Sequence, residues 1–411
     1  MNRLIGIRII CLFLSGSILS NHNPDDLTHT MRVYFDSAAT TQLRDEVVNK
    51  MAEVLKSEYG NPSSTHSYGR SSKALLEQAR KDVAAHLKVE AGEIIFTSGG
   101  TEADNLIIHS CVDDLGVERI ITSPIEHHAV LHCVEDLAEK RGVEVEYTQL
   151  LSCGSIDLEH LSELLANSQK KTLVSLMHVN NEIGNMLDLE TVARMCKEAG
   201  ALIHSDTVQS VGHFDMDFSQ IPVDFAAVAA HKFHGPKGAG FAFVRKNTGL
   251  RPLIHGGAQE RGLRAGTEAV YAIVGLAEAL NLSYQNLEEE SAYIAGLKQY
   301  FIEELGKAIP NAKFNGGCTD IGKSTYTLIN VCIPMPAQKA LMLLFQLDLK
   351  GIACSKGSAC QSGSSGGSHV LKAIQSPEEL QNPSLRFSFS HYNTKDEIDY
   401  VVGVLKDFLD S

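Results

Sequence analysis

Short apolar runs and longer stretches of helical period alternate through the first two thirds of the chain. Runs that read as strands occupy residues 93–97, 119–122, 143–147, 172–178, 202–206, 225–229 and 240–244. Most are separated by segments whose apolar residues return every three or four positions, at 71–87, 129–140, 157–165 and 189–199. Apolar strands alternating with amphipathic helices predict an α/β fold, a mostly parallel seven-stranded sheet sandwiched by helices. The last two runs have no helix between them, so one edge of the sheet is expected to run antiparallel. A long helical stretch at 269–289 is expected to link this unit to the next. Beyond it, helical periods at 293–308, 337–349 and 395–409 mix with strand runs at 326–332 and 385–388, the pattern of a smaller α+β domain. The expected division is an extension at 1–30, a large domain at 45–287, and a small domain made of 31–44 plus 288–411.

The extension has a different pattern. Met1-Asn2-Arg3, followed by the apolar run from Leu4 to Leu14, resembles the start of a signal peptide. Arg8 interrupts that run, no clear small-x-small cleavage site follows, and the run is too short to span a membrane. Met31 opens a globular pattern at once, so translation is expected to start there. With 411 residues, 44% of them hydrophobic, the chain is long enough for two cores. A net charge of -14 argues against nucleic acid as a partner, because phosphate binding needs a basic face. The nine cysteines form no CxxC pair and no zinc spacing, so neither a disulfide framework nor a structural metal site is indicated. Reduced thiols in a cytoplasmic protein without stable membrane association are expected.

Ligands of open α/β sheets collect at the carboxyl ends of the strands, and here those ends are polar. After 93–97 comes Ser98-Gly99-Gly100-Thr101-Glu102, which opens a helix. Its glycines and free N–H groups suit a phosphate, although the same residues also make an ordinary helix start with Thr101 as the cap. After 119–122 comes Glu126-His127-His128, where a histidine could stack on an aromatic ligand or move a proton, or simply hydrogen-bond within a loop. Asn180-Asn181 follows 172–178 and suits a phenolic oxygen, or a turn. Asp206 ends an apolar run and is expected to be a buried carboxylate in need of a cation, whether a pyridinium nitrogen or a basic side chain. Lys232 lies just past 225–229, before the Gly235-Pro236 turn. An amine against that apolar wall loses solvation and becomes a usable nucleophile, unless it is a plain surface lysine. A Schiff-base lysine, a ring-nitrogen carboxylate and a phosphate cradle together describe a pyridoxal phosphate site.

The motifs go further. Asp36-Ser37-Ala38-Ala39-Thr40-Thr41, Gly60-Asn61-Pro62-Ser63-Ser64, Thr97-Ser98-Gly99-Gly100-Thr101-Glu102 and Met177-His178-Val179-Asn180-Asn181-Glu182-Ile183-Gly184 occur in order. His231-Lys232-Phe233-His234-Gly235-Pro236-Lys237-Gly238, Gly262-Leu263-Arg264-Ala265-Gly266-Thr267 and Gly357-Ser358-Ala359-Cys360 follow. In this, the chain resembles cysteine desulfurases of the NifS/IscS type, fold-type I pyridoxal phosphate enzymes of the class V aminotransferase family. The resemblance runs from Tyr34 to about Leu405. It implies that Lys232 holds the cofactor as a Schiff base and moves the substrate's α-proton. It implies that Asp206 pairs with the ring nitrogen, that His127 stacks on the ring, and that Asn181 and Gln209 face the phenolic oxygen. Gly100, Thr101 and His231 would hold the phosphate, and Thr267 would reach it from a neighbouring subunit, which implies a homodimer. Arg386, with Asn181 beside it, would bind the carboxylate of the substrate L-cysteine.

Cys360 is the second implied centre. Its thiolate would take the substrate's sulfur as a persulfide, leaving L-alanine, and pass it to a sulfur acceptor such as an iron–sulfur scaffold protein. The Gly/Ser-rich run at 363–368 is expected to be a mobile loop whose length resembles the group I enzymes. In this family such a cysteine can also share a transient [2Fe-2S] cluster with a scaffold. Cys354, on an apolar run, is expected to face the core. Selenocysteine lyase shares the lysine and the cysteine, and is the alternative. The sequence departs from the family pattern before the lysine, where Ala229 and Ala230 stand in place of a serine that binds phosphate. Loss of one such hydrogen bond costs about 1–3 kcal/mol. Thr207-Val208 after Asp206 is a smaller departure.

Overall fold

The structure, a computed structural model, describes residues 31–167, 169–356 and 367–411. The extension at 1–30 and the segment with Cys360 therefore lie outside the described residues. The strands are β1 (Val33–Tyr34), β2 (Ile94–Thr97), β3 (Arg119–Thr122), β4 (Glu144–Tyr147), β5 (Thr172–Ser175), β6 (Leu202–Asp206), β7 (Phe225–Ala229), β8 (Gly240–Val244), β9 (Lys313–Phe314), β10 (Leu328–Cys332), β11 (Ile352–Ala353) and β12 (Ser384–Ser388). The helices are α1 (Asp45–Ser57), α2 (Ser67–His86), α3 (Gly100–Asp113), α4 (His128–Arg141), α5 (Leu158–Ala166), α6 (Leu189–Glu198), α7 (Val270–Gln285), α8 (Leu287–Ala308), α9 (Ala337–Leu349), α10 (His369–Ile374) and α11 (Lys395–Asp410).

Seven strands form one sheet in the order β2-β8-β7-β6-β5-β3-β4. Alternate residues of each strand point to opposite faces, so a strand covered on both sides must be apolar throughout. Along β7, Ala226 and Val228 join the core under α2, α6 and α7. Phe225 and Ala227 join the core under α3 and α4. Phe225, Phe241 and Phe243 are fully buried, each contributing roughly 2–3 kcal/mol of hydrophobic stabilisation.

The antiparallel strand is not at the edge, as the missing helix implied. β8 runs antiparallel to both of its neighbours, β7 and β2, so it stands one place in from the edge. β2, distant in sequence, closes the edge in the common direction, an arrangement that local pattern does not specify. The linking helix also differs from expectation, because it is broken at Asn286 into α7 and α8. Glu288, Glu289 and Glu290 fall in the first turn of α8. There they face the positive end of a helix dipole, whereas an unbroken helix would leave them without it.

In the second sheet β10 lies between β12 and β9, antiparallel to both, while β1 pairs with β11 in parallel. Phe35, Phe301, Phe387 and Phe389 meet edge-on or tilted beneath them, with ring centroids 4.9 to 6.5 Å apart. This second core draws on β1, α8, β10, β12 and α11. Residues 36–41 leave it after β1 and run to the carboxyl ends of the large sheet's strands, where they bond His231 and Lys232.

Candidate active site

The carboxyl ends of β2, β6 and β7 open on a cavity of 270 Å³. Gly100, Thr101, His127, Asn181, Asp206, Gln209, His231, Lys232 and Arg386 all line it, together with Ala38, Ala39, Asp104, Met177, Val208 and Ala229. Nine sequence-predicted residues from six separate stretches therefore line one cavity. Thr267 does not line this cavity and is exposed in the single chain. Cys360 lies outside the described residues.

β7 stops at Ala229, and a single 3₁₀ turn, Ala230–Lys232, carries the lysine before Gly235 is reached. His213 Nε2 lies 2.9 Å from the Lys232 carbonyl oxygen and fixes the backbone there. The Lys232 Nζ donates to the carbonyl oxygens of Ala38 at 2.6 Å and Ala39 at 2.9 Å. The same Ala38 oxygen accepts from Gln209 Nε2 at 2.9 Å, so one of the two Gln209 donors is turned to the backbone.

Asp206 ends β6 and is 6% exposed, a buried carboxylate as its strand-end position implied. Its Oδ1 accepts from the Val208 N–H at 2.9 Å. Burial raises its pKa to about 6, against the pull of that N–H and of Lys232. A cation beside the carboxylate would draw the value down again. His127 caps α4, its Nδ1 accepting from the Ala129 N–H at 3.1 Å. Burial above all, with the charge of Lys232 second, lowers its pKa to about 4, so the ring is neutral at pH 7.

At the start of α3 the cap is Gly99, not Thr101, and Gly99 (φ 154°) adopts a backbone conformation that disfavours side chains. Gly100 has no room for a side chain either, since a Cβ would stand 2.7 Å from Val208 Cγ2. The first-turn N–H groups have no acceptor within the helix and face the cavity edge at Gly100 and Thr101. His231 Nδ1 lies 3.2 Å from Thr40 Oγ1. The segment leading to Thr267 is tied to this corner by Arg264–Glu102 at 2.8 Å and by the buried pair Arg80–Glu260 at 2.6 Å.

Asn180 and Asn181 divide their work. Asn180 is structural: its Oδ1 accepts from the N–H groups of Glu182 and Ile183, and its Nδ2 donates to the Ile125 carbonyl. Asn181 lines the cavity, and its carbonyl accepts from Arg386 Nη1 at 2.8 Å. Among the described residues no group of histidines, cysteines and acids could hold a metal ion.

Sequence reasoning missed the buried acids around the site. Asp104 lines the cavity at 1% exposure, with Oδ1 3.3 Å from His204 Nε2 but without a hydrogen bond. Its place inside α3, a full turn past the strand end, gave no signal. Glu126 is equally buried, its Oε1 accepting from Ser123 Oγ and the Met177 N–H. Burial raises its pKa to about 8. A folded pKa above the unfolded value stabilises the protein below the unfolded pKa, and that stability is lost as pH rises through the folded one. Wild-type Tm is therefore expected to fall as pH rises from about 5 to about 8 and to level off above that, and Glu126→Gln to flatten the fall, as thermal melts at each pH would show. An equal fall in both proteins would contradict it.

The chain's residues 33–401 match the family model described as aminotransferase class-V. It is 40% identical over 381 residues to a cysteine desulfurase IscS of Dictyoglomus turgidum, covering 92% of this chain and 94% of that one. The chain belongs to the class-V aminotransferases, among their cysteine desulfurases. A cysteine desulfurase IscS of Methanosarcina thermophila is also 40% identical, over 93% of both chains. Among solved structures, a NifS-like protein superposes with a TM-score of 0.84 at 35% identity, covering 92% of this chain and all of that one. The NifS-like protein from Rickettsia africae reaches 0.82 at 31% identity, covering 93% and 100%. Pyridoxal phosphate is the family's cofactor, and the residues present fit it. A buried carboxylate, a lysine amine, a neutral imidazole and a glycine start too tight for any side chain all border one cavity.

Proposed function

We propose that this cysteine desulfurase acts on L-cysteine at the cavity around Lys232 and passes the sulfur to Cys360. The observation that carries the reading is the meeting of Lys232, Asp206, His127 and Arg386 on one 270 Å³ cavity. Pyridoxal phosphate bound there supplies an electron sink for the bonds around the substrate's α-carbon. Lys232 would hold it covalently and carry the α-proton. Asp206 would face the ring nitrogen and His127 the ring. Gly100, Thr101 and His231 would take the phosphate, joined by Thr267 of a second copy in a homodimer. Arg386 is the buried guanidinium for the substrate carboxylate, a bidentate task suited to its planar donors. The Cys360 thiolate would attack the substrate's sulfur, the persulfide bond forming as the carbon–sulfur bond breaks; the bonding pair stays with the carbon, which takes up a proton and leaves as L-alanine. The acceptor of that sulfur is an iron–sulfur scaffold protein, with Cys360 able to share a transient [2Fe-2S] cluster. A core of its own beneath the second sheet, beside the cores on the two faces of the large sheet, supports a large and a small domain, and the free cysteines among the described residues fit a cytoplasmic enzyme. Nothing in the site or the relatives' names favours selenocysteine lyase over this reading.

Sulfide release from L-cysteine with a reductant tests it, alongside a visible absorption band that borohydride removes. A purified protein with neither would end the proposal. The phosphate corner gives a sharper check. Ala229 borders the cavity, 3.7 Å from where a Gly100 Cβ would stand, so a hydroxyl added there reaches the cradle. Ala229→Ser is expected to tighten cofactor retention about tenfold, the worth of one hydrogen bond. Dilution followed by the decay of the visible band measures it, and an unchanged decay would contradict it.

A further inference from the structure

Arg386 sits in the middle of β12, is 2% exposed, and is gripped at both of its outer nitrogens. Nη1 donates to the Asn181 carbonyl oxygen at 2.8 Å. Nη2 donates to Asp36 Oδ1 at 2.8 Å and to Ser355 Oγ at 3.2 Å, and the Ser355 hydroxyl donates to the same Asp36 oxygen at 2.7 Å. The backbone repeats the arrangement. Asp36 bridges Ser388 in parallel and Ser355 bridges Arg386 antiparallel, so both partners flank the arginine's own strand. Two and three residues beyond Asp36, the same turn holds the other reactive end of the site, because the carbonyls of Ala38 and Ala39 accept from Lys232 Nζ.

Resting on the desulfurase reading, we propose that Asp36 is a positioning residue for the substrate carboxylate. With Ser355 it fixes one corner of the Arg386 guanidinium while Asn181 fixes the other, so the group is aimed into the cavity before substrate arrives. A long side chain held at two corners loses its freedom during folding rather than during binding, which favours the bound state. Asp36, itself only partly buried, is also the counter-charge of the buried arginine, and that charge by itself repels an incoming carboxylate. The two effects have opposite signs, and substitutions separate them. Asp36→Asn keeps an acceptor and removes the charge, whereas Asp36→Ala removes both.

The test compares L-cysteine with cysteamine, which has the same amine and thiol but no carboxylate, as ligands of the holoenzyme. Binding is read from the change in the visible band and turnover from sulfide release. Asp36→Ala is expected to raise KM for L-cysteine about tenfold with kcat within about threefold, and to leave cysteamine binding unchanged. Asp36→Asn is expected to restore L-cysteine binding to wild-type strength or better. In an Arg386→Ala background, Asp36→Ala is expected to have no further effect on KM. The proposal is overturned if Asp36→Ala binds L-cysteine as wild type does, or if both ligands weaken equally. A wild-type protein that binds neither ligand overturns the desulfurase reading, and the proposal with it.

Discussion

Lys232→Ala is expected to lower L-cysteine desulfuration by about 10³-fold or more and to abolish the borohydride-sensitive visible band. The size of the loss follows from geometry as well as chemistry. The lysine's backbone is held by His213 and its amine by two carbonyl oxygens, so the nucleophile sits at one defined point of the cavity. Among the other lining residues there is no second lysine, so none can supply a replacement amine. His127 cannot take over the covalent role, and its neutral ring lacks the charge to stand in for an ammonium. The variant should still fold, because Lys232 is a turn residue outside the apolar cores. Circular dichroism with an unchanged melting temperature would confirm that the loss is chemical. Substantial sulfide release by the folded variant would refute the assignment.

Cys360→Ala has the second large effect, and a different signature. Sulfide release is expected to drop by about 10²-fold or more, while the visible band and L-alanine binding stay as in wild type. The described thiols make poor substitutes. None lines the cavity, and all are free. Burial raises the pKa of Cys133, Cys196 and Cys354 to about 12. At pH 7 such a thiol is thiolate in only about one part in 10⁵, too little to attack sulfur. Burial also raises Cys111, Cys318 and Cys332. Cys153 alone among them is exposed and lowered, by its hydrogen bond to Ser155, yet it lies in a turn and does not line the cavity. Cys153→Ala is accordingly expected to leave sulfide release unchanged, and a matching loss there would move the sulfur-accepting role from Cys360.

Cys354 shows how far local pattern reaches. Its place on an apolar run pointed inward, and its side chain packs against the second core. The expected bounds of β3, β6, β7 and β8 match the structure to the residue. Helix starts were less legible. α2 begins four residues before its apolar period does, at Ser67, because the His66 side chain accepts the Gly69 N–H and caps a polar first turn. The run at 172–178 reads as one strand, whereas β5 ends at Ser175, with Leu176 and His178 still donating to the β6 carbonyls of His204 and Asp206. Beyond it Asn180 builds its own hydrogen-bonded turn, which competes with the ladder.

The sequence by itself determined the alternation of the large sheet, the residue types a pyridoxal phosphate site needs, and their order along the chain. These are local properties, written in periodicity and in which polar residue ends each apolar run. Tertiary structure alone decided the position of β8 within the sheet, the burial of Asp104 and Glu126, and the role of residues 36–41. That short segment touches Arg386, Lys232, Gln209 and His231, partners 171 to 350 residues away. No spacing rule spans such distances. What joins them is the packing of the second sheet's core beside the large sheet, which brings a turn after β1 to the strand ends of that sheet and makes it the frame of the site.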